Sequence, residues 1–220
     1  MKLSKETIAL IKNFAGINSN LLIKEGQAIS TISTHKNVMA DTVVSEHFPT
    51  EFGIYDLNEF LGAMSLFSDP ELLFKEKYVL IKEGNSSIKF YAASKDVLVV
   101  PTKPIVFPAS DIDFTLTAHT LAMIQKTASV LRASDLAVIG DGETISLQVG
   151  DKKNDTGNTY LSEVGATDKV FRVNLKVDNL KMIHGDYSVS ISNKRISRFK
   201  AVNQDLVYYV AVESDSSFEA

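Results

Sequence analysis

Lys2, Lys5 and Lys12 recur at helical spacing in the opening segment KLSKETIALIKNF, and Ala9 completes their stripe at i, i+3, i+7 and i+10. Leu3, Leu10 and Phe14 lie roughly opposite. A row of ammonium groups on one face attracts phosphate without covalent contact. Lys126 and Arg132 sit on a second helical segment, TAHTLAMIQKTASVLRA at 117–133, whose apolar stripe is Leu121, Ile124, Ala128 and Leu131. Lys176 and Lys181 lie in a third, 174–183, against one acid, Asp178. A fourth, 55–66, carries only acids, Asp56 and Glu59. These four segments together carry about +3. The whole chain carries −4, so the remainder holds about −7. Basic helices on an acidic body point to a phosphate-facing surface, although solvated lysines are commonplace on amphipathic helices. No aromatic residue interleaves with the basic ones, so base stacking is not indicated. What remains is backbone contact without sequence readout.

Other chemistries lack their residues. The 220-residue chain has no Cys, which excludes disulfides, thiolate metal sites and thiol catalysis. No GxxxxGK loop or GxGxxG follows a strand, and no GxSxG elbow occurs. His35, His47, His119 and His184 are scattered without ligand spacing and read as surface or cap residues. The stretch GDKKNDTGN at 150–158 lacks the alternating acids and distal Glu of a calcium loop and reads as a solvated hairpin loop. No carboxylate couple stands out. The expectation is a non-enzyme with no cofactor and no metal. Apolar runs are short, such as VLVV at 97–100, so no membrane span is expected, and the N-terminus shows no signal-peptide pattern.

The elements that must position the lysines follow from periodicity. YSVSIS at 187–192 and TISLQVG at 144–150 alternate apolar and polar residues, as half-buried antiparallel strands do. DLVYYVAVE at 205–213 is apolar on both faces, so it should be a strand buried on both sides or lying at a contact. Two stretches, FGIYDLNEFLGAM at 52–64 and FRVNLKVDNLKMI at 171–183, start with period 2 and then turn helical. Asp56 or Asn58 would cap the first of these helices and Asn174 the second. Each half then reads as short strand, helix, four strands, short helix and three strands, with helices expected at 4–14, 56–65, 118–131 and 175–182. Three of the five prolines fall in 94–111, which reads as a connector. The expected organisation is α+β: a domain at 1–93, a connector at 94–111 and a similar domain at 112–220. Each domain would pack two helices on antiparallel sheets.

Several stretches, in order, carry a family resemblance: MKLSKETIALIKNFAGIN at 1–18, IYDLNEFLG at 54–62, KPIVFP at 103–108, NLKM at 179–182 followed by GDY at 185–187, and YYVAVESDS at 208–216. The chain resembles the sliding clamps of T-even-like bacteriophages, the processivity factors of the replicative DNA polymerase. Regions 67–95 and 150–168 depart most. The resemblance implies the DNA-clamp fold, assembled as a homotrimeric ring with helices inside and sheets outside. Such a ring encircles duplex DNA without reading its sequence and tethers the polymerase for processive synthesis in the cytoplasm of an infected bacterial host. An ATP-dependent clamp loader would open it. Lys2, Lys5, Lys12, Lys126 and Lys181 match basic positions of the family, whereas Arg132 and Lys176 face DNA only on the helix reading. The resemblance also implies a greasy pocket for the C-terminal peptide of the polymerase, with Met39, Ile105, Phe107, Val210 and Val212 as its candidates. Subunit contacts would join strand edges, 87–92 of one chain with 157–164 of the next. The competing expectation is a β-rich phage structural or ligand-binding protein without DNA contact.

Overall fold

The computed structural model describes residues 1–154 and 156–218. By internal contact the chain divides into two compact units, Met1–Pro104 and Ile105–Ala220. The dividing point lies inside the expected connector.

In the first unit, α1 (Lys5–Ala15) is followed by β1 (Leu21–Ile23), β2 (Gly26–Ile32), β3 (Val38–Phe48) and β4 (Phe52–Ile54). Then come α2 (Leu57–Ser65), β5 (Glu71–Phe74), β6 (Tyr78–Glu83) and β7 (Ser86–Tyr91). All pairings are antiparallel: β1 with β4, β2 with β3, and β5–β6–β7 in sequence. Helix α1 buries Thr7, Leu10, Ile11 and Phe14 and packs against α2, which buries Leu57, Phe60 and Met64. Burying such a side chain contributes about 1.5–3 kcal/mol each, so the apolar stripe and not propensity fixes which face each helix turns outward. Gly53 in β4 allows a close approach. A Cβ there would stand 2.4 Å from the Ala93 carbonyl oxygen, while the Gly53 carbonyl accepts the Ala93 N–H at 2.9 Å.

The second unit follows a similar order, with a strand before its long helix and a 3-10 turn where the first unit has α2. After β8 (Ile112–Leu116) come α3 (Ala118–Leu131), β9 (Asp135–Asp141), β10 (Thr144–Gly150), β11 (Tyr160–Ala166) and β12 (Val170–Lys176). They are followed by β13 (Tyr187–Ser192), β14 (Ile196–Ala201), β15 (Leu206–Ala211) and a two-residue β16 (Ser217–Phe218). One sheet runs β11–β10–β9–β12–β16, and β15–β14–β13–β8 pair in that order. The internal repeat shows in the pairing as well as the order. The first strand after the long helix pairs with the fourth, β1 with β4 and β9 with β12. The second pairs with the third through a register shift, β2 with β3 and β10 with β11.

Three expectations need correction. The helix expected at 175–182 is a single 3-10 turn, Val177–Asn179, and Asn174 is an interior residue of β12 and not a cap. A continuous helix would engage the Ile183 N–H within its own turns. Here that N–H donates to the Tyr208 hydroxyl at 3.2 Å, and the Ile183 carbonyl accepts the Tyr187 hydroxyl at 2.6 Å. The Leu180 carbonyl is likewise taken by the Gln125 amide at 2.9 Å. With its backbone groups satisfied by side chains, this segment gains nothing by coiling. Secondly, the chain begins without a strand: Met1 and Leu72 exchange backbone hydrogen bonds at 2.7 and 2.8 Å, too brief a pairing to count as one. Thirdly, β16 was not expected. The strand expected at 205–213 is β15: Leu206, Tyr208 and Val210 are buried, and Val207, Tyr209 and Ala211 are half-buried.

Candidate nucleic-acid interface and partner surface

Helix α1 starts at Ser4, whose side chain accepts the Thr7 N–H at 3.1 Å. Glu46, on β3, closes the same end. Its carboxylate accepts the Ser4 N–H and the Thr7 hydroxyl, the latter at 2.6 Å. Partial burial works against ionisation of Glu46, but these hydrogen bonds outweigh it and bring the carboxyl down to about 2. The carboxylate also sits at the positive end of the helix dipole. So anchored, α1 leaves Lys5, Ala9 and Lys12 exposed while Leu10, Ile11 and Phe14 are buried. Lys2 precedes the helix and is ion-paired with Asp69; it does not belong to the helical stripe.

Helix α3 is capped by the Thr117 hydroxyl, and its first N–H donates to Asp186 at 2.7 Å. Lys126 is exposed on it. Arg132 is exposed at the C-cap in the left-handed conformation, φ 53°, and its backbone N–H donates to the Ala128 and Ser129 carbonyls. Lys181 is exposed just past the 3-10 turn. Helix α2 carries no base; Asp56 is its cap and Glu59 lies in its first turn.

Lys176 is corrected. It ends β12 and does not lie on a helix, and its ammonium is 2.5 Å from Asp135. Burial opposes ionisation of Asp135, but the Lys176 ammonium and the Ser134 hydroxyl together hold its carboxyl below the usual range. Strand alternation explains the direction Lys176 takes. Leu136 and Val138 of β9 alternate with Asp135 and Ala137, and the register sets Lys176 opposite Asp135. An ammonium already paired with a buried carboxylate has little left for phosphate.

The apolar candidates also divide. Met39, Val210 and Val212 are interior residues, with Val210 fully buried, so Val210 offers no surface to a partner. Ile105 and Phe107 are half-exposed and Val106 is 90% exposed. The Phe107 ring lies 4.5 Å from the Arg198 guanidinium and 6.4 Å from the Tyr209 ring. Arg198 and Tyr209 are cross-strand partners on β14 and β15. Sequence reasoning missed both, although alternation along VYYVA turns Tyr209 away from buried Tyr208 and so offered a signal. Glu46 and Asp135 were missed as well, because each acts on residues about forty positions away.

Comparison with known proteins decides what this arrangement is. The family of DNA polymerase processivity factors matches residues 4–100. A sliding clamp of Vibrio phage KVP40 is 33% identical, with 97% of this chain and all of the relative aligned. The chain belongs to the sliding-clamp family. The sliding clamps of Enterobacteria phage T4 and Escherichia phage RB69 are 31% and 29% identical, with both chains aligned in full. Solved structures carry the same fold at low identity. The A. fulgidus PCNA bound to the C-terminal region of FEN-1 has a TM-score of 0.71 at 12% identity, with 96% of each chain covered. The Entamoeba histolytica proliferating cellular nuclear antigen has a TM-score of 0.69 at 14% identity, with 94% of each covered. This protein is thus a DNA sliding clamp, a processivity factor and not an enzyme. The reading as a structural or ligand-binding protein without DNA contact falls with that result.

Proposed function

We propose that three copies close into a ring around duplex DNA, and that Lys5, Lys12, Lys126, Arg132 and Lys181 face its phosphates. The exposed bases on α1 and α3, opposite buried apolar stripes, are the observation that carries this reading. Ring closure replaces affinity with topology, so the inner charge need only be modestly positive. Screened, interchangeable phosphate contacts then permit sliding. Lys2 contributes less, since Asp69 shares its charge, and Lys176 is left out of the set.

Subunits join by strand addition: β7 ends its sheet, as does β11, and each carries an exposed apolar side chain, Tyr91 and Leu161. The C-terminal peptide of the replicative polymerase docks beside the Ile105–Phe107 segment with an apolar anchor, and an ATP-dependent loader opens the ring. The work is done in the cytoplasm of the infected bacterium.

Reversing Lys5, Lys12 and Lys126 to Glu tests the DNA face. The variant should keep the trimer mass, three times 24.2 kDa, yet shorten the product length of clamp-dependent synthesis. Unchanged product length with an intact trimer would refute the assignment.

A further inference from the structure

The two open sheet ends, β7 and β11, carry unused backbone groups and unused charge at matching positions. Just past β7, the Ala92 N–H donates to the Lys77 carbonyl at 3.0 Å. Backbone groups alternate in direction along an antiparallel strand, so those of Lys89 and Tyr91 point away from β6 to the open edge. Just past β11, the Thr167 N–H donates to the Glu143 carbonyl at 3.0 Å. Alternation from Glu143 turns the Leu147 backbone towards β11, where Ser162 stands opposite it. Leu161 and Glu163 therefore present their N–H and C=O groups to the other open edge. The register shift between Ile145 and Ser146 ends this regular run beyond Glu163.

The side chains match as well. Lys89, Tyr91, Leu161 and Glu163 are all exposed. The Lys89 ammonium lies 5.3 Å from the Tyr78 ring centre, and that ring lies 5.7 Å from Tyr91. Neither Lys89 nor Glu163 has an opposite charge within ion-pair distance among the described residues. The helix-covered faces are the opposite ones. Phe90 packs edge-on against Phe60 of α2, and Ser162 shares its face with buried Leu147 of β10, over which α3 packs.

We infer that β7 of one copy pairs antiparallel with β11 of the next, Lys89 opposite Glu163 and Tyr91 opposite Leu161, and that the Lys89–Glu163 ion pair sets this register. The inference rests on the ring proposed above and specifies its joint. One antiparallel register makes both matches at once, with outward backbone groups meeting outward groups and helix-covered faces on one side. A parallel pairing that kept Lys89 on Glu163 would set Tyr91 on Gly165 and Leu161 on Ser87. An antiparallel slide of two residues would set Lys89 on Leu161, or Tyr91 on Glu163. A slide of one would bring the wrong faces together and set outward backbone groups against inward ones. The two edges are different surfaces of one chain, so the joint is head-to-tail and suits ring closure.

The chain holds no Cys, so disulfides report the joint without background. Tyr91→Cys combined with Leu161→Cys in the full-length protein should cross-link copies on mild oxidation. Cα atoms in such a pair stand about 5.5 Å apart, within disulfide reach. Ser87→Cys with Leu161→Cys lies out of register by about 13 Å and should not cross-link. Lys89→Glu alone should raise the dissociation constant of the joint about tenfold at low salt, since like charges then face each other. Adding Glu163→Lys should restore it to within about threefold. Cross-linking through Ser87 instead of Tyr91, or a double reversal no tighter than the single one, would overturn the register. Light scattering of the unaltered protein separates this from the ring itself. A monomer would overturn both, whereas a trimer without the cross-link or the rescue would overturn the register alone.

Discussion

Glu46 shows how a single side chain anchors the helix that we propose faces DNA. It satisfies two donors at the start of α1 from a strand some forty residues away. Glu46→Ala should cost about 1–2 kcal/mol at neutral pH, the range of a lost N-cap. Because the folded carboxyl lies at about 2 against an ordinary 4.5, its contribution is complete above 4.5. It fades as pH falls from 4.5 towards 2. Denaturant melts of the two proteins should therefore converge across that acid window, and a constant difference down to pH 2 would exclude the assignment. Tyr208 supports the other unit. Burial pushes its hydroxyl up to about 12, against the lowering effect of the Ile183 N–H that it accepts. Tyr208→Phe should destabilise by about 1–2 kcal/mol through the orphaned N–H, which denaturant midpoints will show. It should also speed amide exchange at Ile183.

At the scale of elements, strands were the most legible feature. YSVSIS became β13 and TISLQVG became β10 because alternation is a local property of the chain, although Ser190 and Ser192 on the polar face of β13 are buried too. Helices α1 and α3 were legible for the matching reason: their apolar stripes repeat at helical spacing. The 175–182 segment was not, because what prevents its helix is a pair of tyrosine hydroxyls and one glutamine brought in from other elements. The site divided along the same line. Exposure of Lys5, Lys12 and Lys126 followed from periodicity, whereas the pairing of Lys176 with Asp135 depends on strand register between distant segments. The sheet edges carry their own prediction. Leu161 is 57% exposed on β11, so Leu161→Glu should leave the monomer's thermal stability nearly unchanged. It should shift the light-scattering mass from trimer towards monomer at a given concentration, and an undiminished trimer would place the subunit contact elsewhere.

For the molecule as a whole, an acidic total charge and an ability to hold DNA are compatible only if holding does not rest on attraction. The chain carries −4 overall, which argues against tight nonspecific binding to a polyanion. The proposed enclosure would resolve this, since a closed ring would leave DNA only at an end or by opening. The most direct measurement loads the protein with its clamp loader onto nicked circular DNA, removes free protein and then cuts the circle once. The account predicts stable retention on the circle and rapid loss after cutting, with little dependence on moderate salt before the cut. Equal dissociation rates from circular and linear DNA would contradict it.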